Sequence, residues 1–187
     1  MPTPTKITRD QVLTRAIAIL NEEGLDSLSM RELARRLDVK APSLYRYFPD
    51  KISIERAAVD VANQLMLAAL QKAVKSAHPT EAILAAGNAY RRFAKTKPHL
   101  YALMMEKRLV FPPASDTGKK LWNFVLSLVH AGASEWDETA RAVALWSFLH
   151  GFVSLEQSGR FGASGPRDGF AAGIHALSAG LQIEPPV

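Results

Sequence analysis

The chain has 187 residues, 23 Lys and Arg against 18 Asp and Glu, and no cysteine. The absence of cysteine excludes disulfides, thiolate metal sites and cysteine nucleophiles. The net charge of +5 favours an anionic partner but is too small to identify one. The first residues lack the apolar stretch of a signal peptide, and no segment approaches the roughly 18 uninterrupted apolar residues of a membrane span. We therefore expect a cytoplasmic protein without a membrane partner.

Helical spacing dominates the pattern of apolar residues along the chain. Apolar side chains recur at intervals of three and four, and no sustained alternation of β-branched and aromatic residues indicates a strand. The fold class is predicted to be all-α. The predicted helices cover residues 8–23, 29–37, 41–47, 51–75, 80–95, 98–108, 116–131, 137–158 and 168–181.

Two of the predicted helices begin with the spacing of a capping box. Thr8 is followed three positions later by Gln11, and Ser29 is followed in the same way by Glu32. Asp side chains also suit the N-cap position, because their oxygens accept hydrogen bonds from the first turn. The two further predicted caps are Asp50 and Asp137.

Residues 29–51 combine six basic side chains with two tyrosines, a phenylalanine and two prolines. Aromatic side chains are unexpected on a solvated charged face, and arginines are unexpected in a buried core. Two short helices joined by a turn near residues 38–40, with the helix 8–23 behind them, make a helix-turn-helix. This motif accounts for both kinds of residue.

The second short helix of this motif has an inner and an outer side. Leu44 and Phe48 lie four positions apart and are predicted to anchor it inward. An outward set of polar and aromatic side chains then suits the major groove of double-stranded DNA, which admits one helix. That set is Lys40, Ser43, Tyr45, Arg46 and Tyr47. The alternative is a solvated helical hairpin without a DNA partner.

The stretch SMRELARRLDVKAPSLYRYFPDK, residues 29–51, resembles the TetR/AcrR family of transcriptional regulators, and the resemblance extends over about residues 7–60. It implies base reading by Lys40, Ala41, Pro42, Ser43 and Arg46. It implies phosphate contacts by Ser29, Tyr45, Tyr47 and Lys51, and Arg31 on the preceding helix is expected to hold the flanking backbone. One departure is Asp38, where the family commonly has Gly.

The chain is predicted to contain two domains. Residues 1–52 would form the three-helix DNA-binding domain, linked through the long helix 51–75 to a helical ligand-binding and dimerisation domain, residues 53–187. A helix-turn-helix of this size reads only a half-site, so a pseudo-palindromic operator and a homodimer are expected. The last two helices are candidates for the interface because the first is apolar on more than one face and the second is rich in small residues.

The predicted dimer residues are Trp146, Leu149, Val153, Gly169, Gly173, Ala176 and Gly180. A tight contact within one chain is the alternative explanation for the small residues. The order of Trp146, His150 and Gly151 also resembles a W-x-x-x-H-G pattern found in one TetR subgroup. We expect His150 to have a structural role beside the indole.

Aromatic and methionine side chains concentrate in the middle of the chain. They suit an apolar ligand cavity and suit an ordinary core equally well. The residues predicted to line such a pocket are Tyr90, Phe93, Tyr101, Met104, Met105, Trp122 and Phe148. The family resemblance implies a small apolar or amphipathic inducer, whose binding would release a repressor from its operator.

Two other functional classes compete with a DNA-binding regulator. An enzyme is disfavoured because the five histidines show no metal-ligand spacing and no phosphate-binding loop is present, so neither a metal nor another cofactor is expected. A helical interaction protein without specific DNA binding is the second alternative. It would be retained weakly on polyanions regardless of sequence.

Overall fold

The computed structural model describes residues 7–78, 81–106, 109, 115–129 and 135–183. The regular structure in these ranges is helical throughout, with no β-strand, as predicted. The α-helices are α1 Arg9–Glu23, α2 Met30–Arg36, α3 Lys51–Lys75, α4 Ala82–Thr96, α5 Pro98–Met104, α6 Asp116–Leu128, α7 Glu138–Gln157 and α8 Gly169–Gly180.

These helices form two compact units. The first contains α1, α2, the start of α3 as far as Asn63, and α5; the second contains the rest of α3 together with α4, α6, α7 and α8. Within the first unit α5 packs against α1, and within the second α4, α7 and α8 pack against one another. The predicted functional division, residues 1–52 and 53–187, stays a prediction.

The helix starts follow the predicted caps, with one difference. At α1 the Gln11 N–H donates to Thr8 Oγ1 (3.2 Å) and the Thr8 N–H donates to Gln11 Oε1 (2.9 Å), which completes the capping box. At α2 the Glu32 N–H donates to Ser29 Oγ (3.1 Å), whereas the Glu32 carboxylate turns to arginines. Asp50 and Asp137 accept N–H bonds from the first turns of α3 and α7, as predicted.

Arg36 joins α1 to α2 through carboxylates. Its guanidinium bonds to Glu23 on α1 and, through Nε at 2.7 Å, to Glu32 on its own helix. Glu32 also accepts from Arg35 Nε at 2.8 Å. These hydrogen bonds, first from Arg35 and then from Arg36, lower the pKa of Glu32 from 4.5 to about 2. Ion pairing therefore fastens the two helices.

The predicted helix over residues 41–47 is wrong in type and length. Only Ala41–Ser43 form one turn of 3-10 helix, and residues 44–47 are turns. The N–H groups of Ser43, Leu44 and Tyr47 each donate to a carbonyl three residues back, and within this segment only the Phe48 N–H donates four residues back, to Leu44 O at 3.0 Å. The predicted helix 98–108 also ends early, at Met104, while residues 107 and 108 lie outside the described ranges.

Glycine allows close helix packing in the second unit. A β-carbon at Gly87 on α4 would lie 2.5 Å from Ile174 Cδ1 on α8 and 3.3 Å from Leu149 Cδ2 on α7. A phenylalanine cluster lies beside this contact, with Phe152 and Phe170 at 4.9 Å between ring centroids. The three helices thus meet at a position where any larger residue would collide.

Polar bonds complete the second unit. The Arg91 guanidinium on α4 pairs with Glu156 on α7 and lies over the Phe170 ring, 5.0 Å from its centroid. Buried Arg141 donates through Nε to the Val129 carbonyl oxygen (2.8 Å) and through Nη1 to that of Trp136. Arg141 therefore ties both ends of the connection between α6 and α7 to the same helix.

We predict that Gly87→Ala destabilises the protein and that Gly151→Ala does not. The added methyl at Gly87 overpacks the meeting point of three helices, which typically costs about 1–3 kcal/mol, against a gain in helix propensity of up to about 1 kcal/mol. Nothing lies within 4 Å of a β-carbon at Gly151 in α7, so only the gain applies there. Chemical denaturation measures both; an unchanged midpoint for Gly87→Ala would contradict the packing.

We also predict a pH-dependent loss of stability through Glu32. Its folded pKa lies below the ordinary value, so its ion pairs stabilise the fold above about pH 4.5, and this contribution is lost as the pH falls towards 2. Thermal unfolding of the wild type and of Glu32→Gln should therefore differ at neutral pH and converge in acid. Glu81→Gln, an exposed carboxylate in the other unit, is the matched control. A difference that stays constant with pH would refute this role.

Candidate DNA-binding site

Residues 40–48, called the recognition segment below, follow directly on the turn that ends α2. The Val39 N–H donates to Ala34 O (3.0 Å) and the Asp38 N–H to Arg35 O (3.3 Å), the bonding pattern of a Schellman motif. Asp38 has a left-handed backbone with φ of 52°. Asp tolerates a left-handed backbone better than most residues do, so the turn is kept without the Gly that the family commonly has.

Two apolar anchors hold the inner side of the recognition segment. Leu44 and Phe48 are 0% and 1% exposed, as predicted. The Arg9 guanidinium of α1 lies 4.6 Å from the centroid of the Phe48 ring. The inner side is therefore fixed to the body of the first unit, and the opposite side is left for a partner.

The outer side presents cations and an aromatic ring to solvent. Lys40, Pro42 and Arg46 are exposed, and Tyr45 retains 50% of its accessible surface. Ala41 and Ser43 are half-buried beside them, and Arg31 is exposed on α2. The structure thus places the predicted base-reading residues on a single short segment.

Three predicted phosphate contacts have internal partners. The Tyr47 hydroxyl donates to the Ile7 carbonyl, and Lys51 Nζ donates to the Leu25 carbonyl at 3.1 Å. Ser29 Oγ is occupied by the cap of α2. The prediction that Tyr47 projects freely outward is therefore wrong, because it is half-buried and bonded 40 residues away. A DNA phosphate would have to share or replace these bonds.

Two residues that position this surface were not recognised from the sequence. Glu55 is fully buried on α3, and its Oε1 lies 3.6 Å from Lys51 Nζ. The four-residue spacing of Lys51 and Glu55 was an available signal. The stacking of Arg9 on Phe48 had no such signal, because it joins residues far apart in the chain. A second contact of this kind joins neighbouring residues: the Arg46 guanidinium lies over the Tyr47 ring, 4.6 Å from its centroid.

The predicted pocket residues fall in different units. Tyr101, Met104 and Met105 belong to the first unit, and the others belong to the second. Phe148 fills the space above Gly173, where a β-carbon would lie 2.2 Å from its Cζ. Of the seven predicted residues, Tyr90, Phe93 and Tyr101 are buried and the other four are half-buried. The shared pocket stays a prediction.

Some predicted dimer residues are already buried within the chain. Leu149 and Val153 are 8% and 1% exposed, so they cannot offer area to a partner, and their assignment is corrected. Gly173 faces Phe148 of its own chain, which is the alternative of a tight internal contact. Trp146 is 44% exposed, as is Val143, a residue that was not predicted.

The remaining predicted interface residues are at the surface. Gly169, Ala176 and Gly180 on α8 are exposed. The Trp146 ring lies edge-on to Trp122 of α6, with 6.4 Å between centroids. Exposed apolar residues are therefore present on both α7 and α8.

Over the described ranges, no three His, Cys, Asp or Glu side chains are grouped so that they could hold a metal ion. None of the helices in the described part of the chain has the length and apolar content needed to cross a membrane.

Comparisons with known proteins agree with a DNA-binding surface. Residues 12–58 match the family described as bacterial regulatory proteins, tetR family, and residues 83–177 match the tetracyclin repressor-like C-terminal domain. Over 159 residues the chain is 27% identical to an uncharacterised HTH-type transcriptional regulator of Mycobacterium tuberculosis, covering 83% of this chain and 73% of that protein.

Solved structures share the fold. A protein of unknown function from Rhodococcus sp. RHA1 has a TM-score of 0.78 at 23% identity, covering 97% of this chain and 100% of that chain. BioQ with its double-stranded DNA operator has a TM-score of 0.63 at 25% identity, covering 95% and 99%. The N-terminal and C-terminal matches together show that this chain belongs to the TetR family of bacterial regulatory proteins and is a transcriptional regulator, not an enzyme.

Proposed function

We propose that the protein is a homodimeric, sequence-specific DNA-binding repressor released from a pseudo-palindromic operator by a small apolar or amphipathic inducer. The single observation that carries the DNA-binding part is the recognition segment, anchored by buried Leu44 and Phe48 and exposing Lys40, Tyr45 and Arg46 on its other side. A short, rigidly anchored element with exposed cations is what reading a major groove requires.

Base reading is assigned to the start and middle of the recognition segment. Arg and Lys donate to guanine O6 and N7, Ser donates to or accepts from several base edges, and small apolar groups contact the thymine methyl. The residues proposed for this role are Lys40, Ala41, Pro42, Ser43 and Arg46. Arg46 would leave its stacking on Tyr47 to reach a base.

Backbone contacts would set the register on the duplex. Arg31 and Tyr45 have exposed polar ends for this role, while Ser29, Tyr47 and Lys51 would bring groups that already have internal partners. Such phosphate contacts position the protein without reading sequence. We therefore divide the predicted phosphate contacts into exposed groups and groups held by the fold.

Dimerisation is supported by the exposed apolar residues of α7 and α8. Val143 and Trp146 are each 44% exposed, and Ala176 and Gly180 leave room for another helix to approach. Two such helices from each protomer would form a four-helix interface. A dimer would present two recognition segments to half-sites about 34 Å apart along the duplex.

Repression and release rest on family likeness, including the repressor-like description of the C-terminal match. Residues 53–187 are proposed to bind the inducer and 1–52 to bind DNA, in the cytoplasm. An inducer would act only through its differential affinity for the conformations that do and do not fit the operator. The Trp146, His150 and Gly151 pattern is consistent with the W-x-x-x-H-G subgroup.

The competing proposal is a helical interaction module that lacks specific DNA binding. It would leave the exposed cations of the recognition segment as a solvated surface. The two proposals differ in sequence specificity: the module would bind polyanions weakly and without preference, whereas a repressor would discriminate between a target and a scrambled duplex by at least about a thousandfold.

We predict that selection from a random duplex pool recovers a pseudo-palindrome. The two half-sites should lie about one helical turn apart, because a two-fold dimer presents its recognition segments with that spacing. Sequencing of the bound fraction tests DNA binding, symmetry and spacing together. Recovery of unrelated sequences with equal affinity would support the interaction module instead.

We further predict that Lys40→Met and Lys51→Met differ in their effects. Lys40→Met should make the dependence of log affinity on log salt shallower by up to about 0.9 per protomer and leave thermal stability unchanged, because Lys40 is exposed. Lys51→Met should lower thermal stability as well, because it removes the bond to Leu25 and the ion pair with buried Glu55. Titrations at several salt concentrations and melting curves measure both effects.

Lys119→Met is the matched control, since Lys119 is exposed on α6 in the second unit. It removes the same charge from outside the proposed DNA-binding surface. An unchanged salt dependence for Lys40→Met, together with an unchanged affinity for the operator, would remove Lys40 from the proposed DNA contacts.

A further inference from the structure

Asp38 occupies a left-handed backbone position that Gly favours and that Asp tolerates. Its φ of 52° lies in the left-handed region, at the position of a Schellman motif that usually holds Gly or, less often, Asn. A side chain at this position crowds its own backbone, and Asp only partly relieves this cost. The backbone therefore permits an Asp here but does not require one.

The charge of Asp38 is also unfavourably placed for the helix. It lies just beyond the C-terminus of α2, where the exposed carbonyl oxygens disfavour a negative group. The basic side chains in the last turn of α2 do not compensate it, because Arg35 bonds to Glu32 and Arg36 bonds to Glu32 and Glu23. Asp38 is exposed, and it has no ion pair with any residue in the described ranges.

The other acids of residues 29–51 have defined structural roles. Glu32 accepts bonds from two arginines, and Asp50 accepts the Ser53 N–H at 2.7 Å as the cap of α3. Asp38 is left as an exposed carboxylate two residues before Lys40, at the entry to the recognition segment. It is thus placed to oppose the cations that would approach DNA.

We propose that Asp38 limits the attraction of the recognition segment for DNA phosphates, whatever the base sequence. This inference rests on the proposed DNA-binding function. A carboxylate two residues before Lys40 cancels part of the positive charge that displaces counterions from the duplex. It lowers affinity for random and operator DNA by the same factor. The consequence is shorter retention on non-target DNA, at the expense of the strained turn.

Asp38→Asn tests the charge separately from the backbone. Asn has nearly the same shape and also tolerates the left-handed region, so the turn is preserved. Each neutralised phosphate accounts for about threefold of the affinity lost between about 50 and 200 mM salt. We expect Asp38→Asn to raise affinity for a scrambled duplex and for the selected operator alike, by about threefold per protomer at the low-salt end, with a steeper salt dependence.

Asp168→Asn is the matched control. Asp168 is exposed in the second unit and its side chain caps no helix, so the same charge is removed from outside the proposed DNA-binding surface. Its affinities should equal those of the wild type. Melting curves of both variants verify folding, and Asp38→Gly, which also relieves the left-handed strain, provides a second charge-free variant.

Two results would overturn the role of Asp38. The first is an unchanged affinity for the scrambled duplex with an unchanged salt dependence. The second is a loss of operator affinity alone, which would mark Asp38 as a reader of a cytosine amino group instead. Failure of the wild type to bind either duplex would refute the proposed function, and that result is distinct from both.

Discussion

The burial of Leu44 and Phe48 is the interaction on which the geometry of the DNA-binding surface depends. A single 3-10 turn followed by irregular turns has too few hydrogen bonds to hold its shape alone. The recognition segment is instead shaped by what lies beneath it, with both anchors essentially inaccessible to solvent. Arg9 covers the Phe48 ring from α1, so the first helix of the unit contributes directly to the position of the exposed side.

Hydrogen bonds at the end of the recognition segment add to this anchoring. Tyr47 bonds to the carbonyl just before α1, and Lys51 bonds to a carbonyl just after it. The chain between these two residues is thereby fastened close to both ends of one helix. Tyr47 and Lys51, which were predicted to contact phosphates, thus bond to the backbone of their own chain. These bonds help to fix the position of the recognition segment and of its exposed cations.

Local features of this fold could be predicted from the sequence, and long-range features could not. The caps at Thr8, Asp50 and Asp137 depend on residues three positions apart, and they were predicted correctly. The recognition segment was wrongly predicted to be one helix. The four-residue spacing of its anchors, Leu44 and Phe48, fits a helix, but it fits a 3-10 turn followed by irregular turns equally well. The bond from Tyr47 to residue 7 joins positions 40 apart, and no pattern of sequence spacing reports it.

Competition between hydrogen-bond donors explains why the predicted capping box of α2 is incomplete. Glu32 has the correct spacing to complete a capping box, but arginines three and four positions later offer charged donors, which make stronger hydrogen bonds than a backbone N–H.

On α7, apolar residues surround the whole helix, so periodicity cannot distinguish the face that packs on α4 and α8 from the exposed face. Leu149 and Val153 were assigned to the wrong one for that reason.

The basic residues of the stretch 29–51 differ in whether they already have partners within the protein. Six basic side chains suggest a strongly attractive surface, yet Arg35 and Arg36 are paired with carboxylates, and Lys51 is held by Leu25 and Glu55. Among the described residues, the exposed cations of the proposed site that have no carboxylate partner are then Arg31, Lys40 and Arg46. Because counterion release scales with the charges that reach phosphates, the attraction should follow this smaller set rather than the composition. In the proposed role of Asp38, one exposed carboxylate near so few cations would offset a larger fraction of the attraction than it would among six.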